Sequence, residues 1–267
     1  MNIIVFVKQV MDPETPQANF KIDNAANKVS PVPGAAPVVN GFDENAIEAA
    51  LRLREAVGEA TIRVISLGKD LVLDVIKKPL SMGADELYLL QDDAFEEGDA
   101  YSIAHALAAA VNKLGEFDLI ICGRQASDTD RGQVGVGVAE ILGIPSITIG
   151  KSVKVEDGKV VVERVRADGS EIVEAPLPAL VTVSNELGEP RYPTLRGIMQ
   201  AGRKQPTVWT AADIGADADK IGATGRVVDL QKLFVPVTEA QCEFIEGENA
   251  ADAGRQLALK LREAKII

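Results

Sequence analysis

Short apolar runs alternate with longer segments of helical periodicity in the first half of the chain. The apolar runs, which predict strands, are 2–7, 61–67, 86–90 and 118–122. The segments between and after them repeat apolar residues at spacings of three and four, which predicts helices over 43–57, 68–81, 99–114 and 133–142. This alternation predicts an α/β fold with a doubly wound, mainly parallel sheet, as in Rossmann-like nucleotide-binding domains.

Single residues predict some of the boundaries. Asp43 is a plausible N-cap for the first helix, and Pro79 should end or kink the second. Proline-rich chain before Asp43 predicts an irregular segment, with at most a small hairpin around Asp23-Asn24.

After Pro145 the pattern changes to short strands and turns. Asp157-Gly158 and Asp168-Gly169 separate strand-like runs, so we expect an antiparallel hairpin added to the sheet. Prolines and glycines in residues 185–201 predict an exposed loop that leads into a short helix. Its large apolar side chains either form a docking surface or fold back onto the core; they are Tyr192, Leu195, Ile198 and Met199.

We divide the chain into two parts. Residues 1–205 form the nucleotide-binding domain, including the loop 185–201. Residues 206–267 are polar and rich in glycine and alanine, with too little apolar surface to fold alone. We expect them to form an extended arm that wraps around the first domain or a partner subunit.

The loop from Gly123 to Gly132 is the candidate site. It joins a buried strand to a helix N-terminus, where backbone N–H groups and the helix dipole favour an anion, usually phosphate. Ligands in such sheets lie outside the carboxyl ends of the strands. The glycines of this segment either admit a ligand or let the helix pack closely. An ordinary crossover is the alternative, because the loop fits neither GxGxxG nor GxxxxGK[ST].

Composition narrows the classes of function. The net charge is −12 and the basic residues are dispersed, which argues against nucleic acid as a partner. No apolar run is long enough to span a membrane. Two cysteines without a CxxC pair and a single histidine predict no metal site. The N-terminus does not have the pattern of a signal peptide, so we expect a soluble, cytoplasmic protein.

Five segments resemble successive landmarks of the β subunits of electron transfer flavoproteins, possibly of the electron-bifurcating type. They are IVFVKQV, NGFDENAIEAALRLRE, MGADE, GRQASDTDRGQVGVGVAEILGIP and NELGEPRYPTLRGIMQA, and the likeness covers nearly the whole chain. The resemblance implies electron transport in a heterodimer with an α subunit that carries FAD and is wrapped by the arm 206–267. It also implies a second adenine nucleotide here: FAD that exchanges hydride with NADH in bifurcating members, or structural AMP in others.

Matching positions assign the nucleotide contacts. They are Phe6, Asn40, Gly41, Phe42, Asp43, Leu67, Gly123, Arg124, Gln125, Ala126, Ser127, Asp128, Thr129, Asp130, Arg131, Gly132, Gln133 and Val134. Backbone groups should serve at Phe6 and Leu67. Asp128 and Asp130 should prefer ribose hydroxyls or loop N–H groups to phosphate.

The resemblance also implies that the loop 185–201 docks acyl-CoA dehydrogenases of fatty acid oxidation, with Leu195 as anchor. Arg131 replaces a threonine of the bifurcating members and adds a positive charge that suits a diphosphate, which favours FAD over AMP. A solvated loop charge is the alternative for Arg131. No general base or nucleophile stands beside the loop, so we predict no catalytic residue and disfavour a hydrolase-like or stress-related nucleotide-binding protein.

Overall fold

The fold is known from a computed structural model that describes residues 1–30, 32, 34–236 and 242–267. The chain divides into two compact units. Residues 1–21 and 29–231 form the first unit, and residues 22–28 and 232–267 form the second.

The strands are short, and nine of them belong to one sheet. They are β1 (Asn2–Phe6), β2 (Gln9–Met11), β3 (Ile22–Asp23), β4 (Lys28–Val29), β5 (Pro37–Val39), β6 (Thr61–Leu67), β7 (Glu86–Leu90), β8 (Leu119–Gly123), β9 (Ser146–Glu156), β10 (Lys159–Arg166), β11 (Gly169–Pro176), β12 (Ala179–Val183) and β13 (Thr207–Trp209). The α-helices are α1 (Gly41–Val57), α2 (Leu73–Ile76), α3 (Lys78–Met82), α4 (Ala100–Leu114), α5 (Val134–Leu142), α6 (Leu195–Arg203), α7 (Gly222–Gly225) and α8 (Ala250–Glu263).

The predicted fold class is confirmed. The main sheet has the order β11-β10-β9-β12-β8-β1-β6-β7-β13. All pairings from β9 to β13 in this order are parallel, whereas β10 pairs antiparallel with β9 and β11, as the added hairpin requires. Asp157 and Gly158 form its first turn with positive φ angles of 49° and 74°.

The core lies on both faces of the sheet. In β1, Ile3 and Val5 face one apolar cluster, which includes side chains of α1, while Ile4 and Phe6 face another, which includes α4 and α5. Because β1 is buried on both sides, it carries an uninterrupted apolar run rather than an alternating one.

Two local predictions are wrong. The helix predicted from Asp43 begins at Gly41, and Asn40 precedes it as the N-cap residue. The single helix over 68–81 is two short helices that meet at Lys77. Pro79 lies in the first turn of α3, where a proline displaces no intrahelical hydrogen bond.

Strand β13 is missing from the sequence prediction because three residues carry almost no periodic signal. It extends the sheet beside β7, where the rings of Tyr88 and Trp209 lie 4.6 Å apart. The first unit includes β13 and continues to Gln231, and the division of the chain at residue 205 stays a prediction. That the arm wraps an α subunit stays a prediction, and its residues 237–241 lie outside the described residues. None of the helices in the described ranges is long and apolar enough to cross a membrane.

Candidate functional site

The candidate site lies at the point in the sheet where the order of successive strands reverses. From β1 the chain moves through β6 and β7 to one side, and it then returns to β8 on the other side of β1. A ligand crevice opens at such a switch point, outside the carboxyl ends of the two strands. Those ends are Lys8, which follows β1, and Gly123, which closes β8.

Asp43 ties the two strand ends together. Its Oδ2 accepts a hydrogen bond from Lys8 N at 2.7 Å, and its Oδ1 accepts one from Gly123 N at 3.1 Å. Burial raises the pKa of Asp43 to about 7, although these hydrogen bonds and one with Asn40 act in the opposite direction. Asp43, which the sequence predicts to cap a helix, is thus a buried carboxylate that holds the two strand ends at the switch point.

Asn40 fixes the loop that follows β8. Its Nδ2 donates to Gln125 O at 2.8 Å, and its Oδ1 accepts from Ser127 N at 3.2 Å. Its own N–H donates to Lys8 O at 2.9 Å. The start of α1 therefore holds both β1 and the loop.

The end of β8 and the start of α1 approach each other closely at Gly123 and Phe42. A Cβ at residue 123 would lie 2.4 Å from Asp43 Oδ1 and 2.7 Å from Phe42 Cβ, so only glycine fits. The Arg124 guanidinium carbon lies 5.5 Å from the centre of the Phe42 ring, a cation–π distance. Gly41, the first residue of α1, is exposed.

The acidic side chains of the loop have partners within the site. Lys8 Nζ donates to both carboxylate oxygens of Asp128, at 2.8 and 2.7 Å, and Gln125 Nε2 donates to Asp130 Oδ1 at 2.7 Å. The N–H groups of Thr129 and Asp130 donate to Ala126 O. The pairing of Lys8 with Asp128, 120 residues away, carries no local sequence signal.

The glycines around the start of α5 have separate roles. Gly132 has a positive φ of 62° and turns the chain into the helix. A Cβ at Gly135 would lie 2.7 Å from Cys122 Sγ, and one at Gly137 would lie 3.1 Å from Ala104 Cβ. Gly135 and Gly137 therefore let α5 pack closely against the sheet and α4, which settles the alternative that the sequence left open. The first N–H groups of α5 have no acceptor within the helix, and the helix begins directly after the loop.

The other residues predicted to contact the nucleotide lie at strand ends or in the loop. Phe6 ends β1 and is buried, whereas Leu67 ends the neighbouring strand β6 and is half-buried. Arg131 and Gln133 are exposed in the loop, and Val134 begins α5. Phe6, the start of α1 and the loop converge at the switch point, with Leu67 one strand away. Whether they contact a nucleotide stays a prediction.

A second feature is the segment 185–203, which ends in α6 and which we call the docking segment. Thr194 caps α6, since its Oγ1 accepts from Gly197 N at 3.0 Å. Leu187 is buried in the core, whereas the four large apolar side chains that were candidates for docking do not fold back onto it. Their exposures are 90% for Tyr192, 75% for Leu195, 53% for Ile198 and 57% for Met199.

Similarity to known proteins shows the family of the chain. The Electron transfer flavoprotein domain family matches residues 34–214. Over the whole length of both chains, this chain is 41% identical to the electron transfer flavoprotein subunit beta of Megasphaera elsdenii and 39% identical to that of Thermoanaerobacterium thermosaccharolyticum. It is also 34% identical, again over both full lengths, to the caffeyl-CoA reductase-Etf complex subunit CarD of Acetobacterium woodii. The chain therefore belongs to the electron transfer flavoprotein family, among its β subunits.

Proposed function

We propose that this chain, paired with an α subunit that carries FAD, binds a second FAD at the switch point and passes electrons between NADH, acyl-CoA dehydrogenases and other redox partners. The observation that carries the proposal is the prearranged loop 123–134, which is braced by Asp43 and Asn40 where a parallel sheet places its ligands. A β subunit implies an α subunit, and electron transfer is the function of the family.

The residues present fit the phosphates of a nucleotide. The N-terminus of α5 supplies N–H groups and the positive end of a helix dipole. Ser127, Thr129 and Gln133 supply side-chain hydrogen-bonding groups. Asp128 would repel phosphate, but Lys8 balances its charge, and Asp130 accepts from Gln125.

The chain's own part is to bind and orient the nucleotide. A bound FAD supplies hydride and single-electron transfer, whereas bound AMP supplies no redox chemistry. Phe6 and Leu67 offer backbone groups at two strand ends, and Arg131 offers an exposed positive charge beside the loop. FAD has two linked phosphate groups where AMP has one, so an additional cation beside the loop, Arg131, supports FAD as the first candidate.

AMP is the second candidate. In that case the chain is a scaffold and docking subunit, and the FAD of the α subunit carries all of the redox chemistry. The similarity to subunit CarD, whose name places it in a caffeyl-CoA reductase-Etf complex, supports the first candidate, the bifurcating type with FAD, over AMP.

The nucleotide content of the purified α/β complex tests the proposal. Nucleotides released by denaturation are separated by chromatography and counted per heterodimer. About two FAD without AMP would support a flavin at the 123–134 loop. One FAD and one AMP would contradict the FAD assignment in favour of AMP, and a colourless complex would contradict both.

We further propose that the docking segment binds an acyl-CoA dehydrogenase with Leu195 as its anchor. Exposed apolar anchors at the centre of an interface commonly contribute about 2 kcal/mol or more. The support is the exposure of Leu195 on a capped helix, together with the resemblance of the segment NELGEPRYPTLRGIMQA to the family's recognition loop.

Leu195→Ala should weaken electron transfer from the dehydrogenase without changing the flavin content. We expect kcat/KM to fall about thirtyfold, which corresponds to about 2 kcal/mol. Ile172→Ala is the control, because Ile172 is 65% exposed but lies on β11. Equal transfer rates in the two variants would contradict the docking role.

A further inference from the structure

A buried carboxylate lies beneath the docking segment. Glu48 is in the middle of α1, and its side chain is 5% exposed. A charge in such a place is costly unless it is paired and hydrogen-bonded. Burial alone would raise the pKa of Glu48, but hydrogen bonds from Arg191 and Arg52 outweigh burial and lower it.

Arg191 supplies most of the pairing. Its backbone N, Nε and Nη2 donate to Glu48 at 3.1, 2.7 and 3.2 Å. Its guanidinium also donates to Glu55 at 2.6 and 3.3 Å. Because Glu55 lies two turns after Glu48 on α1, the side chain of Arg191 lies along that helix.

Two further side chains of α1 hold the main chain of the docking segment. Arg52 donates from Nε to Glu48 at 2.7 Å and from Nη1 to Leu187 O at 2.9 Å. Asn45 Nδ2 donates to Gly188 O at 2.8 Å. Gly188 has a φ of 99°, a left-handed conformation that favours glycine.

Helix α6 is held after the loop as well. A Cβ at Gly197 would lie 2.3 Å from Ser81 O, so α6 packs directly on α3. Ala201 is buried, and Lys204 Nζ donates to Asp85 O at 2.6 Å. The docking segment is thus fixed before and after its exposed apolar residues.

We propose that Glu48 and Arg191 are positioning residues that hold the docking segment in its binding conformation before a partner arrives. The inference rests on the proposed docking function for its consequence in electron transfer, whereas the ordering of the segment is testable without a partner. A segment that is already ordered loses less conformational entropy on binding. Loss of the pair should therefore weaken docking while every apolar contact residue is still present.

Hydrogen–deuterium exchange of the α/β complex tests the ordering. In Glu48→Gln and in Arg191→Gln we expect the amides of residues 192–203 to exchange at least about tenfold faster. Arg191→Gln leaves the buried Glu48 with Arg52 as its remaining cation, and Glu48→Gln removes the carboxylate that accepts from the backbone and guanidinium of Arg191. Strand β8 should keep its protection, which shows that the sheet is folded. Unchanged exchange at 192–203 in both variants would overturn the proposal.

Glu55→Gln is the matched control. It is the same substitution against the same arginine from the same helix, but the side chain of Glu55 is 61% exposed. Exposed pairs contribute little, so exchange at 192–203 should stay within about twofold of wild type. An equal increase in Glu55→Gln and Glu48→Gln would contradict the special role of the buried carboxylate.

Electron transfer tests the consequence. With a short-chain acyl-CoA dehydrogenase reduced by butyryl-CoA as donor, Glu48→Gln should raise KM for the dehydrogenase about tenfold and leave the limiting rate unchanged. Faster exchange with unchanged KM, while Leu195→Ala still impairs transfer, would overturn the positioning role. Normal transfer in Leu195→Ala as well would instead show that the proposed docking function is wrong.

Discussion

Asp43 and Asp92 are two carboxylates that each accept backbone N–H hydrogen bonds from two places. Asp43 receives them from Lys8 and Gly123 inside the protein, and burial raises its pKa to about 7. Asp92 receives them from Ala94 and Ala211 near the surface, and these bonds lower its pKa. The same hydrogen-bonding pattern therefore has opposite electrostatic results, because burial outweighs the hydrogen bonds only at Asp43.

Asp43 makes a predictable contribution to pH dependence. The unfolded chain releases the Asp43 proton near pH 3.8, whereas the folded chain holds it until about pH 7. The free energy of unfolding of the wild type, relative to Asp43→Asn, should therefore fall by up to about 4 kcal/mol over this interval and stay constant above it. Urea unfolding at several pH values measures the difference.

Asp92→Asn is the control of opposite sign. A pKa that is lowered in the folded state stabilises the protein at pH values above the pKa of the unfolded chain, and this stabilisation is lost as the pH falls. The wild-type advantage over Asp92→Asn should thus grow with pH. A wild-type advantage over Asp43→Asn that does not change with pH would contradict the assignment of a raised pKa.

At the scale of elements, the position of α5 depends on how closely it can approach β8. Gly135 faces Cys122 and Thr182 on neighbouring strands, and a methyl group there would be 2.7 and 3.2 Å from them. The helix N-terminus is part of the proposed phosphate site, so a shift of α5 moves the N–H groups that are proposed to bind phosphate.

Gly135→Ala should both destabilise the protein and reduce its bound nucleotide. We expect a loss of about 1–3 kcal/mol, typical of an overpacked core, measured by urea unfolding alongside nucleotide content. Gly254→Ala in α8 is the control, because no atom lies within 4 Å of its added Cβ. That change should be neutral or stabilise by up to about 1 kcal/mol. Equal stability of the two variants would show that close packing at Gly135 is unimportant.

At the scale of the whole molecule, the second unit exposes large apolar side chains. Phe234 is 64% exposed and Phe244 is 85% exposed, and within the described chain α8 has no buried residue. Apolar surface of this extent usually belongs to an interface. It supports the prediction that the arm covers an α subunit.

Deletion of residues 232–267 should abolish copurification with the α subunit. The first unit should remain folded, because it contains both apolar clusters of the sheet. Circular dichroism and cooperative unfolding check that folding, while an affinity tag on the α subunit measures association. If the truncated chain copurified with the α subunit as well as the full chain does, the predicted role of the arm in binding that subunit would be contradicted.

Much of the fold was predictable because its signals are local. The central strands are short apolar runs, and each long helix repeats apolar residues on one side. The order of these elements is enough to predict a parallel sheet and a ligand site at strand ends. The docking segment was also recognisable, although its exposure was not.

The sequence by itself determined the elements, the class of sheet and the two candidate surfaces. Only the tertiary structure decided what Asp43 and Gly135 do, and that Arg191 pairs with Glu48 across 143 residues. Propensity and periodicity act over a few residues, whereas a buried charge or a close backbone approach depends on groups that folding brings from distant parts of the chain. For that reason the sequence carried no signal for the partners of Lys8, Asp43 and Glu48, although it shows the residues themselves.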